Sequence, residues 1–538
     1  MKIRALKAFT IRDSETGNLT SIACGGIAEV SDTVGSSLIS DGLAEAYTLV
    51  NPTGSVNISS NGTVDVAEYA TAVVNVPGVT PTGTIEITSN GTVDVTEYAT
   101  AVVNVDYTTV NFNLPESIKK TTTALSQART SLAATALAPT GGSDPQSGHA
   151  LFGGGYNGNS VSSVVDAYNN NLERTTTPTL SEGRYYLSAT TVAPAVGSDQ
   201  QSEHALFGGG YGTGGAYSSV VDAYDTNLER TTAPPLSEAR VSLAATTLAP
   251  TGGSDPQSGH ALFAGGSNGV VSHSSAVDAY DSRLTKTTTP PPLSEARRNL
   301  AATTLPPTEG SDQQSEHALF AGGYNGNSVS SVVDAYDSRL TKTTTPPPLS
   351  EARRNLAATT VGDYALFGGG LADGAYSAVV DAYDSRLTKT TIPPPLSGGW
   401  DNLAATTVTL TGGSVYALFG GGFGNSSSVV DAYDSRLTKT TAPTVPTLSE
   451  ARGYLAATTL ATTGGYGYAL FGGGHLGVDY YSSVVDVYGP PNYKVQVFPG
   501  TKYSFNGSEE LVSDTWQEIN ISGSLIGYIK IKSTNVVG

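Results

Sequence analysis

The sequence predicts a mainly β protein built on one four-stranded unit used seven times, and three observations carry that prediction. An apolar run ending in a glycine pair, LFGGG or LFAGG, recurs from Leu151, Leu206, Leu262, Leu319, Leu366, Leu418 and Leu470. A second apolar run follows each one and closes on Tyr168, Tyr224, Tyr280, Tyr336, Tyr383, Tyr433 or Tyr488. Only 14% of residues are charged, while Gly (62 residues), Thr, Ser, Val and Tyr abound, a mixture that favours strands and tight turns. A unit repeated this often decides the architecture before any local motif does.

Residues 1–50 read as a small α+β unit. Lys2–Thr10 and Leu19–Val30 are β-like, Ser31 or Asp32 can cap a short helix ending at Gly42, and Leu43–Val50 is a last strand. Fifty residues bury little core, so this unit is expected to need a partner surface or self-association.

A tandem repeat of period 29 comes next. Ser55–Val76 is matched by Thr84–Val105, and Asn61-Gly62 and Asn90-Gly91 are two-residue hairpin signals between alternating strands. Residues 51–77 and 78–106 are thus expected as two β-rich beads in series, a spacer more than a pocket.

Residues 107–491 hold the large repeat. In the fifth copy Leu349–Arg353 is a turn, Leu356–Thr360 a first strand and Tyr364–Phe367 a second, ending in Gly368-Gly369-Gly370. Val379–Tyr383 is a third strand and Leu387–Thr391 a fourth. Four short strands per copy is the pattern of a propeller blade, so a seven-bladed β-propeller is expected. After Tyr488 the fourth strand is missing, but Ile118–Thr123 carries its pattern ahead of the first copy. The N-terminal segment should therefore supply the outer strand of the last blade and close the ring. Residues 492–538 alternate apolar and polar at strand period and read as a small β unit with Trp516 as its core anchor.

With its double glycine, its third-strand Tyr and an Arg opening each copy (Arg129, Arg184, Arg240, Arg297, Arg353 and Arg452), the repeat resembles the Kelch family over about residues 117–489. That resemblance implies a Kelch-like propeller, a fold used by enzymes and binding scaffolds alike. Two departures stand out. The family's fourth-strand Trp is replaced by a Leu-Thr-Lys segment, and the sixth copy has Gly398-Gly399-Trp400 where Glu-Ala-Arg stands elsewhere.

The chemistry-bearing residues mostly repeat with the fold. His149, His204, His260 and His317 precede the second strand of the first four copies, near Asp144, Asp199, Asp255 and Asp312, but Tyr364, Tyr416 and Tyr468 replace them later. Histidines spread over different blades cannot share one metal, so packing is the expected role. The Asp of the third strand recurs too regularly for catalysis, which needs groups converging in one pocket, and is expected to satisfy backbone N–H groups between blades. The Glu and Arg of the turn are expected to form a salt-bridged contact between blades. No P-loop, GxSxG or HExxH occurs, and Cys24 is the single cysteine. No enzyme activity, metal or cofactor is expected. The variable stretch is the loop after the glycines, where Tyr156, Tyr211, Tyr324, Phe423 and His475 share one position among Asn, Gly and Ser, a composition suited to carbohydrate or peptide contact.

A net charge of −19 argues against a nucleic-acid partner, and no run reaches membrane-spanning length. The N-terminus also shows no signal-peptide core, so assembly in a cytoplasm is expected. The order of small unit, spacer, globular head and β tail is that of a fibre. The NGTVDVTEYATAVVNV beads and the opening KIRALKAFTIRD resemble structural proteins of tailed phages. This implies a virion protein, either a head fibre or decoration protein or a tail fibre. Residues 1–50 would attach to the major capsid protein or another virion protein, the propeller would meet host-surface carbohydrate, and the fibre would be a homo-oligomer. A Kelch-type enzyme acting on surface polysaccharide is the disfavoured alternative.

Overall fold

A computed structural model describes side chains over residues 122–489, apart from 140–147, 195–202, 251–258, 308–315, 440–444 and shorter stretches; outside 122–489 it describes strands of the backbone only. The protein is mainly β, with many small antiparallel sheets. No helix among the described residues is long and apolar enough to cross a membrane. The chain divides into two compact units. One is Met1–Asn113, Lys494–Ile519 and Ile526–Gly538; the other is Leu114–Tyr493 and Asn520–Leu525.

In the first unit the long strands expected near the N-terminus are each split, and the pieces take different partners. Lys2–Ala5 pairs with Ile27–Glu29 and Ala44–Ala46, whereas Phe9–Arg12 pairs with Leu19–Ile22. The helix expected after Ser31 lies outside the described residues, as do Cys24 and Trp516. The period-29 copies depart from the expected hairpins. Thr63–Val66 runs parallel to Thr84–Ile87, Thr71–Val74 to Thr92–Val95, and Thr92–Val95 to Tyr107–Phe112. Successive strands go to alternate sheets, so the two copies interleave. A lone two-stranded hairpin is marginal in water, and sharing larger sheets stabilises both copies. Gly527–Ser533 pairs antiparallel with Tyr107–Phe112, so this C-terminal strand shares a sheet with strands of the spacer.

In the second unit the first five copies each contribute a small open antiparallel sheet, and copies six and seven share one larger open sheet through Thr409 and Gly467. The first strand of a copy, such as Ala301–Leu305, alternates buried and half-buried residues, while the second (His317–Ala321) is buried throughout. The third strand (Val333–Asp337) carries Tyr336, whose ring meets Phe320 edge-on at 6.0 Å and whose hydroxyl donates to Pro291 O at 2.9 Å. The fourth strand is the weakest. It forms as Arg174–Thr176 and Arg230–Ala233 in the first two copies, but copies three to six keep single bridges such as Tyr383↔Lys389. The turn before it puts Leu340 at φ 60° and Leu387 at φ 59°, held by backbone bonds to Asp337 and Asp384. In the last copy the outer strand comes from the other end of the repeat: Ile118–Thr121 pairs antiparallel with Val485–Gly489.

Each sheet is open, but bonds between sheets run in a closed cycle. Ser131 N–H donates to Tyr454 O at 3.0 Å and Tyr454 N–H to Asn402 O at 2.9 Å; the cycle continues through Asn355, Asn299, Ser242 and Tyr186 back to Ser131. Glycine packing follows the same circuit. A Cβ on Gly153 would lie 2.6 Å from the Phe207 ring, and one on Gly472 would lie 2.7 Å from Phe152, so the seventh copy abuts the first.

A threonine ladder joins the first strands at six of these seven contacts. Thr190 and Thr247 hydroxyls meet at 2.7 Å, Thr303 and Thr360 at 2.9 Å, and Thr406 and Thr459 at 2.8 Å. The first copy reads Ala-Ala-Thr-Ala-Leu, so Ala136 stands where a hydroxyl would meet the seventh copy. Ala136→Thr is expected to complete the ladder through Thr458 and Thr459 and to stabilise by about 1 kcal/mol in urea unfolding, the usual net worth of one hydrogen bond. No gain would mean that this contact is already optimised.

Candidate functional site

Residues on one face converge because the turn entering each sheet carries a variable pair after its Arg, or after Trp400 in the sixth copy. The pairs are Thr130-Ser131, Tyr185-Tyr186, Val241-Ser242, Arg298-Asn299, Arg354-Asn355, Asp401-Asn402 and Gly453-Tyr454. The second member of every pair belongs to the hydrogen-bond cycle and takes φ between 51° and 57°. Asn and Ser tolerate this left-handed conformation, but Tyr186 and Tyr454 are bulky residues held there, an outlier of the kind that clusters at binding sites. These seven residues and the Leu after each line a central hollow of about 190 Å³. A second hollow, about 460 Å³, is lined by Ala and Thr of the seven first strands.

The first member of each pair bridges the post-glycine residue of its own copy. Thr130 pairs with Tyr156, Arg298 with Tyr324, Asp401 with Phe423 and Gly453 with His475 as isolated bridges, and Tyr185 pairs with Tyr211. The residues singled out from the sequence therefore stand one step outward from the central hollow.

Four of those five join a larger aromatic assembly. Tyr156 lies 5.8 Å from Tyr185, Tyr185 lies 4.9 Å from Tyr186, and Tyr186 lies 6.0 Å from Tyr454. Tyr454 meets Phe423 at 5.3 Å, Phe423 meets His475 at 5.5 Å, His475 meets Tyr481 at 5.4 Å, and Tyr481 returns to Tyr156 at 6.0 Å. Seven half-buried rings close on themselves, and Tyr211 branches from Tyr185 at 5.6 Å. The small residues Gly453, Thr130 and Ser131 are tied to this circuit by backbone bonds to His475, Tyr156 and Tyr454. Thr130 Oγ1 and His475 Nδ1 are buried there without a hydrogen-bond partner. Tyr324 stands apart, among His273, Arg298 and Arg354.

Tyr481 lies in the post-glycine loop of the last copy, but Tyr185, Tyr186 and Tyr454 were not legible as site residues from that loop. The signal was the Arg-x-x-Leu position, which varies from copy to copy inside a constant frame.

Asp401 is the one acid among the variable pairs. Burial pushes its carboxyl above the usual carboxylate range, opposed by Asn355 and Asn402 amides donating at 3.0 and 2.8 Å and by the Arg354 charge. The folded state thus holds a proton that the unfolded chain releases at lower pH, and stability is lost as pH rises through that window. Asp401→Asn is expected to gain stability relative to the natural protein as pH goes from about 4 to about 7, the range above an ordinary Asp pKa. Urea unfolding at both values checks it, and parallel curves would remove Asp401 as the source.

The repeating charges are structural. Arg353 Nη2 contacts Asp381 Oδ2 at 2.7 Å with both side chains fully buried, and the same pair recurs in every copy except the sixth. His149, His260 and His317 are buried at the start of separate strands, and His204 holds the same place half-buried. Burial also holds His260 below its ordinary pKa. Asp144, Asp199, Asp255 and Asp312 lie outside the described residues. Among the described residues no three His, Cys, Asp or Glu side chains are placed to hold a metal ion.

No family model matches the chain, and no curated protein matches it. Among solved structures, one titled "Structure of YjhT" aligns over 68% of this chain and 96% of its own length, at 10% identity and a TM-score of 0.38.

Proposed function

We propose that this protein is a carbohydrate-recognition protein of a phage particle, and that its second unit is a seven-bladed, Kelch-like β-propeller whose central face binds the saccharide. The closed aromatic circuit of Tyr156, Tyr185, Tyr186, Tyr454, Phe423, His475 and Tyr481 is the observation that carries the binding reading. Half-buried rings around small residues suit the apolar faces of sugar rings, and the nearby hydroxyls and amides suit their polar edges. The cycle of backbone bonds and the outer strand from Ile118–Thr121 support the propeller reading. Residues 1–50 are the attachment segment to the capsid or another virion protein, in a head fibre or decoration protein, and the chain acts as a homo-oligomer.

A glycan array probed with the full chain, beside Tyr156→Ala/Tyr185→Ala, tests the binding site. Binding to host-surface glycans is expected, at least tenfold weaker in the variant. Equal binding by both proteins would move the site elsewhere, and no binding by either would overturn the recognition reading.

A further inference from the structure

The aromatic circuit occupies the sixth, seventh, first and second copies, and the opposite side of the face has different chemistry. There the Arg-x-x-Leu position holds Arg298 and Arg354, each half-buried. Their guanidinium carbons lie 5.7 and 5.1 Å from the centre of one ring, Tyr324. Neither guanidinium forms an ion pair or hydrogen bond among the described residues, and the Nε of each is buried without a partner. In contrast, Arg297 and Arg353, one residue earlier, are buried against Asp334 and Asp381.

The fold does not require cations at these two places. The equivalent residues in other copies are Thr130, Tyr185, Val241, Asp401 and Gly453, all compatible with the same backbone bridge. A partly desolvated, unpaired guanidinium is costly, the more notable in a chain of net charge −19. Both arginines precede an Asn of the central cycle, and Asn355 donates its amide to Asp401 whereas the Asn299 amide bonds to no described residue. Arg298, Asn299 and Arg354 together offer N–H donors and positive charge bonded to no acceptor among the described residues, although the Asp401 carboxylate lies near enough to feel the Arg354 charge. Such an arrangement receives a carboxylate or phosphate.

We propose that this arginine pair is an anion subsite, so that the saccharide bound by the central face is acidic: its carboxylate or phosphate lies on Arg298 and Arg354, and its neutral rings lie toward the aromatic circuit. This rests on the carbohydrate reading above and names the ligand class. Tyr324 holds the arginines by cation–π contact and keeps them extended for the ligand.

The test is an array of uronic-acid and phosphorylated glycans, each beside its methyl-esterified or dephosphorylated counterpart, probed with the full chain and with Arg298→Met/Arg354→Met. Binding of the acidic member at least tenfold tighter than its neutral counterpart is expected, weakened by salt and lost in the double variant. Arg298→Lys/Arg354→Lys should keep part of the preference, and unchanged melting of both variants would exclude misfolding. Preference for uronates or for phosphates identifies the source of the charge. Equal binding of acidic and neutral members, unaffected by the double variant, would overturn the anion subsite and leave the carbohydrate reading standing. Binding of neither would overturn both.

Discussion

Arg353→Ala is expected to destabilise the second unit by about 3–5 kcal/mol, the cost of stripping one partner from a buried ion pair. Arg353 is fully buried, its Nη2 donating to Phe367 O at 3.0 Å and to Asp381 Oδ2 at 2.7 Å. Burial pulls its guanidinium pKa down, and Asp381 opposes that shift. Removing the side chain leaves Asp381 with Ser350 N–H at 3.0 Å and Lys389 at 4.0 Å. In the sixth copy Trp400 replaces the arginine, and Asp431 is left with the partners that copies three and four also give their Asp: Lys439 at 2.7 Å and the Ser397 N–H at 2.9 Å. Arg353→Met/Asp381→Leu should therefore lose much less than Arg353→Ala, because no charge is left unpaired. Urea unfolding of the three proteins decides it; equal losses in single and double variants would mean that the pair contributes only through shape.

Gly322→Val is expected to cost about 3 kcal/mol or more, from a left-handed backbone penalty plus overpacking. Gly322 sits at φ +68°, and a Cβ there would lie 2.6 Å from Arg353 O and 2.9 Å from a Leu356 methyl. That carbonyl also accepts the Gly323 N–H at 2.9 Å, one of the bonds joining successive copies. Any shift that relieves the clash breaks the link, so the damage should spread to the neighbouring sheet. Hydrogen exchange should show lost protection at Gly323 and in the fifth copy's first strand, Ala357–Val361. Loss confined to residue 322 would show that the copies are less coupled than the bond pattern implies.

Much of this architecture was legible because each copy repeats its reasons. The alternating first strand, the Leu-Phe of the second and the glycine pair are local patterns, and seven instances average out the ambiguity of any one. The outer strand of the last copy was readable from the same bookkeeping, since Ile118–Thr121 matched a segment missing at the other end. The period-29 segment was harder. Asn61-Gly62 predicts a turn but not its partner, and pairing across copies joins strands that no local signal connects.

The sequence by itself determined the strand content, the repeat boundaries and the structural role of the repeating Asp and Arg. These follow from residue periodicity and from what burial demands of a charge, both readable within one copy. That the turn Arg pairs with the third-strand Asp, and not chiefly with the turn Glu, only the structure showed. Only the tertiary structure decided the candidate site. The aromatic circuit joins Tyr156 and Tyr185 to Phe423 and Tyr481, hundreds of positions apart, because the seventh copy abuts the first. The same closure sets Arg298 and Arg354 on another side of the face, where they flank Tyr324. The copies are alike in what holds them together and differ in the two residues after each turn, so the asymmetry that makes a site arises only when the copies are arranged around one centre.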